Sequence, residues 1–214
     1  VPAKIVEKNF AKWANILREI PFQSKKEEAL MKFKDEVLLE EIKKLENNYE
    51  ILFSSITYNT LQQYKIKYIL SRLTQYIESI WNSNESESHI EQIFLNETIE
   101  HILPQKPQKE DADLFGSIEE CDKYKIKLGN LAILDRNTQS IIKNKLIKEK
   151  REAYKEYAKY QLTKSALVRF EPVGVDNSKI RSYQKLKYFD KWDKDAINNR
   201  QKMLFELSKE VWKL

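Results

Sequence analysis

A chain of 214 residues, 41% apolar and 33% charged with a formal charge of +5, can bury a real core as one large domain or two small ones. Three glycines and five prolines are too few for a strand-rich fold, so the expected class is mainly α. The single cysteine, Cys121, excludes a disulfide framework and a cysteine-based zinc site; with no apolar run near the roughly 18 residues of a membrane span and no basic-then-apolar leader, a cytoplasmic protein without a membrane partner is expected.

Val1 opens directly into a helical pattern, so the chain reads as the C-terminal piece of a longer protein. Phe10, Trp13, Ile16, Leu17 and Ile20 recur at helical spacing. Beyond Pro21, Leu30, Phe33, Val37, Leu38, Ile42 and Leu45 predict a second amphipathic helix. A third runs from Leu61 to Trp81, its stripe of Ile66, Ile69, Leu70, Leu73, Tyr76, Ile77 and Ile80 broad enough to be buried on more than one side. The polar run Asn82 to Ser88 reads as a linker and the first domain boundary.

Ile99, Ile102 and Leu103 predict a short strand, ended by Pro104 because proline withholds an amide donor. Residues 105–116 read as loop, and Ser117 with Glu120 as a capping box that opens a short helix ending near Gly129. Leu131 to Leu134 predicts a second strand, and Thr138 to about Leu162 one long helix. Phe170 to Ser182 reads as an irregular crossing, and Lys194 to Lys213 as a last helix facing inward with Ile197, Arg200 or Gln201, Leu204, Leu207 and Val211. The expected domains are a helical region 1–88, a core 89–165 and a helical extension 166–214.

Charge is unevenly placed. Residues 1–100 carry 13 Lys/Arg against 16 Asp/Glu, and the remainder carries 25 against 17. Within residues 136–169 there are ten basic side chains and three acidic ones, a block that would attract a polyanion; the plainer reading is a set of ordinary solvated helix faces.

That block adjoins the most informative stretch, Glu100-His101-Ile102-Leu103-Pro104, followed by Gly129-Asn130-Leu131 and then by Asn137 and Asn144. An acidic residue, a histidine and amide oxygens are parts with which one hard cation can be held beside one general base, as phosphodiester hydrolysis requires. On a regular strand Glu100 and His101 would point to opposite faces. The first run resembles the Asp/Glu-His-Ile-x-Pro signature of HNH, or ββα-metal, nucleases, where a twist at the strand end lets both groups approach one phosphate.

More specifically, residues 60–214 resemble the C-terminal nuclease domain of GmrSD-type modification-dependent restriction endonucleases and of SspE-like anti-phage proteins. Gly129-Asn130-Leu131, Asn137, Asn144, Lys150-Arg151 and Tyr154 stand at that family's motif positions, as do Trp192, Ile197, Arg200, Leu204 and Trp212 near the end. Ile147 replaces the usual aromatic. The resemblance implies a two-stranded hairpin and metal-binding helix surrounded by a helical bundle. His101 would be the general base, and Asn130 would orient it by a hydrogen bond. Glu100 would bind one Mg²⁺ or Mn²⁺, not zinc, joined by Asn137 or Asn144, with millimolar affinity because only one ligand is charged. Lys145, Lys148, Lys150 and Arg151 would grip flanking phosphates.

The implied function is a DNA endonuclease that nicks phage or modified DNA. An N-terminal NTPase or sensor domain would be the partner, and a dimer would be needed for double-strand cuts. A decayed nucleic-acid-binding module and an RNA-directed nuclease are the alternatives. Asn130, Asn137 and Asn144 also suit turns and caps, His89 reads as a surface residue, and Trp192, Arg200 and Trp212 read as packing anchors.

Overall fold

The computed structural model describes residues 3–82, 89–170 and 177–213. The predicted linker beyond Asn82 and the part of the irregular crossing that holds Pro172 and Gly174 lie outside them. The chain divides into two compact units, Val1–Ile51 and Leu52–Leu214. This places a boundary some 30 residues before the predicted linker.

The first unit contains α1 (Ala3–Glu19), a 3₁₀ turn Ile20–Phe22, α2 (Lys26–Lys32), a π-helical stretch Phe33–Leu38 and the greater part of α3 (Leu39–Ser54). Pro21 sits in the first turn of the 3₁₀ segment, where its missing N–H costs nothing.

The second unit is built on α4 (Gln63–Trp81). Ile66, Leu70, Leu73 and Ile77 recur on one face and are fully buried, while Ser71 and Thr74 are buried beside them and let neighbouring elements come close. α4 packs against α5 (His89–Asn96) and the two-stranded sheet that follows. Strand β1 (Thr98–His101) pairs antiparallel with β2 (Leu131–Leu134), Glu100 opposite Ala132 and His101 opposite Leu131.

Between the strands lie α6 (Lys109–Phe115) and α7 (Ile118–Lys125). α6 was unexpected. Its only apolar anchors are Ala112 and Phe115, too short a pattern to reveal a period. α7 begins where predicted, the Ser117 hydroxyl accepting from Glu120 N at 3.2 Å. It ends at Lys125, short of Gly129. After β2 come α8 (Arg136–Ile142), α9 (Ile147–Tyr157), α10 (Gln161–Lys164), α11 (Asn177–Gln184) and α12 (Lys194–Trp212). The long helix expected from Thr138 to about Leu162 is therefore interrupted twice, between α8 and α9 and again at Ala158 before α10. Lys143 adopts φ 36°, and α9 restarts with the Glu149 carboxylate accepting from Leu146 N and the buried Asp111 carboxylate accepting from Ile147 N.

The result is a mainly α fold around one small hairpin, as the composition predicted. Among the described residues no helix is long and apolar enough to cross a membrane.

Candidate active site

Glu100 and Thr98 share one face of β1, and that face meets α8 and α9. Glu100 is 2% exposed. One carboxylate oxygen accepts from the Lys150 ammonium and the other from Gln139 Nε2 at 2.8 Å. Lys150 is fully buried and also donates to the His101 carbonyl at 2.6 Å, so a single ammonium from α9 fixes the strand on both sides of the Glu100–His101 peptide. Burial raises the Glu100 carboxyl above its ordinary value, and the Lys150 charge and the hydrogen bonds from Lys150 and Gln139 offset only part of that rise.

His101, 6% exposed, stands edge-on to the Tyr58 ring at 4.7 Å between centroids, with Gln105 Nε2 3.3 Å from its Nδ1. Burial, helped by the charges of Lys150 and Lys125, pushes the imidazole down to about 4, which keeps it neutral at neutral pH.

Despite pointing to opposite faces of the strand, both groups reach one open cleft of about 330 Å³, lined by Ile99, Glu100, His101, Pro104, Gln105, Gln139, Lys143 and Asn144. Gln139 lies on α8, and Lys143 is the residue that ends it, its N–H donating to the Gln139 carbonyl at 3.1 Å. Asn137 lies two residues from Gln139 on that helix, is exposed and does not line the cleft. Asn144, in the turn after α8, does.

Asn130 has a different role from the one expected. It is fully buried and uses all of its hydrogen-bonding capacity away from His101. Its Oδ1 accepts from Leu103 N at 2.7 Å and Trp192 Nε1 at 3.0 Å, and its Nδ2 donates to the carbonyls of Leu103 at 3.0 Å and Lys125 at 2.9 Å. It clamps the chain just beyond His101 rather than the ring itself. Trp192 is thereby the packing anchor that the sequence suggested.

The four expected phosphate-gripping residues also separate. Lys145 and Lys148 are exposed. Lys150 does not face solvent, and the half-buried Arg151 is taken up by the Leu167 carbonyl, Tyr188 OH at 2.8 Å and the carbonyls of Phe189 at 3.2 Å and Asp190 at 2.9 Å. Gln105, Gln139 and Lys143, none of them singled out from sequence as site residues, line the cleft instead. The side chain of His89 lies outside the described residues.

Among the described residues no three of His, Cys, Asp and Glu gather at one point. A cation in the cleft would rest on the Glu100 carboxylate, the Asn144 amide oxygen, water, and the Gln139 amide oxygen once that amide turns over, since here its Nε2 faces Glu100 and its Oε1 accepts from Thr98 Oγ1 at 3.4 Å. One anionic and two neutral oxygen donors suit a hard divalent ion that keeps much of its hydration shell, and do not suit zinc.

A family model described as GmrSD restriction endonucleases, C-terminal domain, matches residues 43–207. No curated protein and no solved structure matches the chain.

Proposed function

The chain belongs to the family of GmrSD restriction endonuclease C-terminal domains, a family of restriction-system nucleases, and we propose that it is an HNH-type, metal-dependent endonuclease that nicks DNA. The observation that carries this reading is the convergence of Glu100, His101, Gln139 and Asn144 on one open cleft.

In this reading a water molecule takes the place of the Gln105 amide beside His101. The neutral imidazole accepts its proton, the water oxygen attacks phosphorus, and the bond to the 3′ oxygen breaks, that oxygen taking a proton from solvent. Lys150 holds the Glu100 carboxylate and the His101 carbonyl still while this happens. Glu100, Gln139 and Asn144 would hold one Mg²⁺ or Mn²⁺, which when bound supplies positive charge to the phosphate and the departing oxygen. Lys145 and Lys148 contact neighbouring phosphates, giving an attachment that weakens as salt rises.

One such cleft cuts one strand per encounter, so double-strand cleavage needs a second copy or a second event. Restriction of phage or modified DNA in the cytoplasm, directed by an NTPase or sensor domain, is the role that the family membership favours. The test is direct: with Mg²⁺ or Mn²⁺ the purified chain converts supercoiled plasmid to open circle, EDTA stops the conversion, and His101→Ala reduces it by about a hundredfold or more. Undiminished nicking by the folded His101→Ala protein would falsify the assignment.

A further inference from the structure

Lys143 holds a backbone conformation that lysine avoids. With φ 36° and ψ −119°, and with Lys145 N donating to the Ile142 carbonyl at 2.8 Å, residues 142–145 form a type II′ turn whose first central position is Lys143. Glycine is the favoured residue there, because a Cβ at that φ and ψ crowds the neighbouring peptide. Among the described residues the only other non-glycine with positive φ is Lys213, and it lies in the ordinary left-handed basin at the end of α12. The strain at Lys143 is of another kind, and such strain gathers at functional sites.

The turn has two consequences at the cleft. It interrupts what would otherwise be continuous helix from α8 into α9, and it lines the cleft with both Lys143 and Asn144. Among the described residues no other cationic side chain lines that cleft. Lys150 is fully buried behind Glu100, and Lys125 is committed to Asp122 at 2.6 Å and the Gln105 carbonyl at 2.9 Å. Lys143 is exposed and lines the cleft together with Glu100, His101 and Gln139.

We propose that Lys143 is the phosphate-binding residue of the cleft, its ammonium contacting a non-bridging oxygen of the scissile phosphate, and that the strained turn is what positions it. The inference rests on the nuclease reading given above. A glycine would relax the turn and leave the phosphate without its cation.

The experiment measures binding of a short fluorescent DNA duplex over a salt series in a His101→Ala background, where the duplex survives, together with the melting temperature of each protein. Lys143→Gln removes the charge and keeps the strain, and it should weaken binding about tenfold and lower the log–log salt slope by about 1. Lys143→Arg should bind within about threefold of the parent. Lys143→Gly should bind as weakly as Lys143→Gln yet melt about 2–6 °C higher. If the parent binds duplex and Lys143→Gln binds equally well with the same slope, the assignment of Lys143 is overturned and the nuclease reading stands. If the folded parent binds no nucleic acid at any salt, both fall. A Lys143→Gly protein that melts no higher than Lys143→Gln overturns the role given to strain.

Discussion

At the scale of single residues, His101, the proposed general base, carries a measurable thermodynamic signature. Burial pushes its imidazole down to about 4 from an ordinary value of 6.5. Below 6.5 the unfolded chain therefore binds a proton that the folded chain refuses, so stability is full above that pH and is lost as pH falls toward 4. The loss is about 3 kcal/mol. Glu100, raised by burial, acts in the opposite sense, since its proton stabilises the fold at low pH. A comparison with His101→Gln isolates the histidine: unfolding free energies measured from pH 7 down to pH 4 should fall about 3 kcal/mol further for the parent than for the variant. Parallel curves would mean that the ring is not desolvated.

His101 and Glu100 were legible in the sequence because they are adjacent and belong to a compact motif. Gln139 was not, since an amide acquires its role only when α8 lies against β1. Lys150 was misplaced among the surface cations because a linear count of charges cannot tell inside from outside. A signal was nevertheless present: Lys150 falls between Ile147 and Tyr154 at helical spacing, on the stripe that α9 buries.

At the scale of elements, the joint between the strands and the last helix explains why two distant motifs belong together. Gly129 lies so close to α12 that a Cβ there would come within 2.1 Å of the Ile197 carbonyl oxygen. Across this contact Gly129 N donates to Gln201 Oε1 at 3.0 Å, and Arg200 Nη1 donates to the carbonyls of Gly129 at 2.8 Å and Leu131 at 2.7 Å. Arg200 is fully buried, and desolvation pushes its guanidinium down to about 10, which still leaves it charged at neutral pH.

Gly129→Ala must therefore displace α12 and strain that whole set of bonds. Overpacking of about 1–3 kcal/mol plus the weakened hydrogen bonds should lower the melting temperature by roughly 6–12 °C. Gly116→Ala is the control. Gly116 has φ 85° but nothing within 4 Å of a Cβ, so the cost there is conformational alone and about 1 kcal/mol. Equal melting temperatures for the two variants would remove the close-approach argument. The strands, α4, α7 and α12 were legible because each shows a period or a cap. The break between α8 and α9 was not, because neither glycine nor proline marks it and a lysine occupies the turn.

At the scale of the whole molecule, burial is divided unequally between the two units. Of the buried apolar side chains among the described residues, only Ile20 and Phe33 belong to the first unit, and Phe10, Phe22, Leu30, Met31 and Ile51 there are more than half exposed. The second unit holds a continuous cluster running from Ile102 and Phe115 through Tyr154 and Leu167 to Trp192 and Ile197. Local stability follows buried apolar contact, since amides open where little apolar surface has to be exposed to free them. Helices α1, α2 and the part of α3 before Leu52 should thus exchange their amide hydrogens at rates near those of isolated amphipathic helices, while the buried faces of α4 and α12 should exchange only through global unfolding. Hydrogen exchange read by mass spectrometry over seconds to days would register this as two populations of peptides, divided near residue 51. The site lies wholly within the protected unit, so a fragment beginning at Leu52 should keep the protection pattern of α4, α9 and α12 and with it the geometry of Glu100, His101 and Lys150. Uniform protection across α1 and α4 in the intact chain would show that the first helices are stabilised by more than their own two buried side chains, and would shift the expected fragment boundary toward the N-terminus.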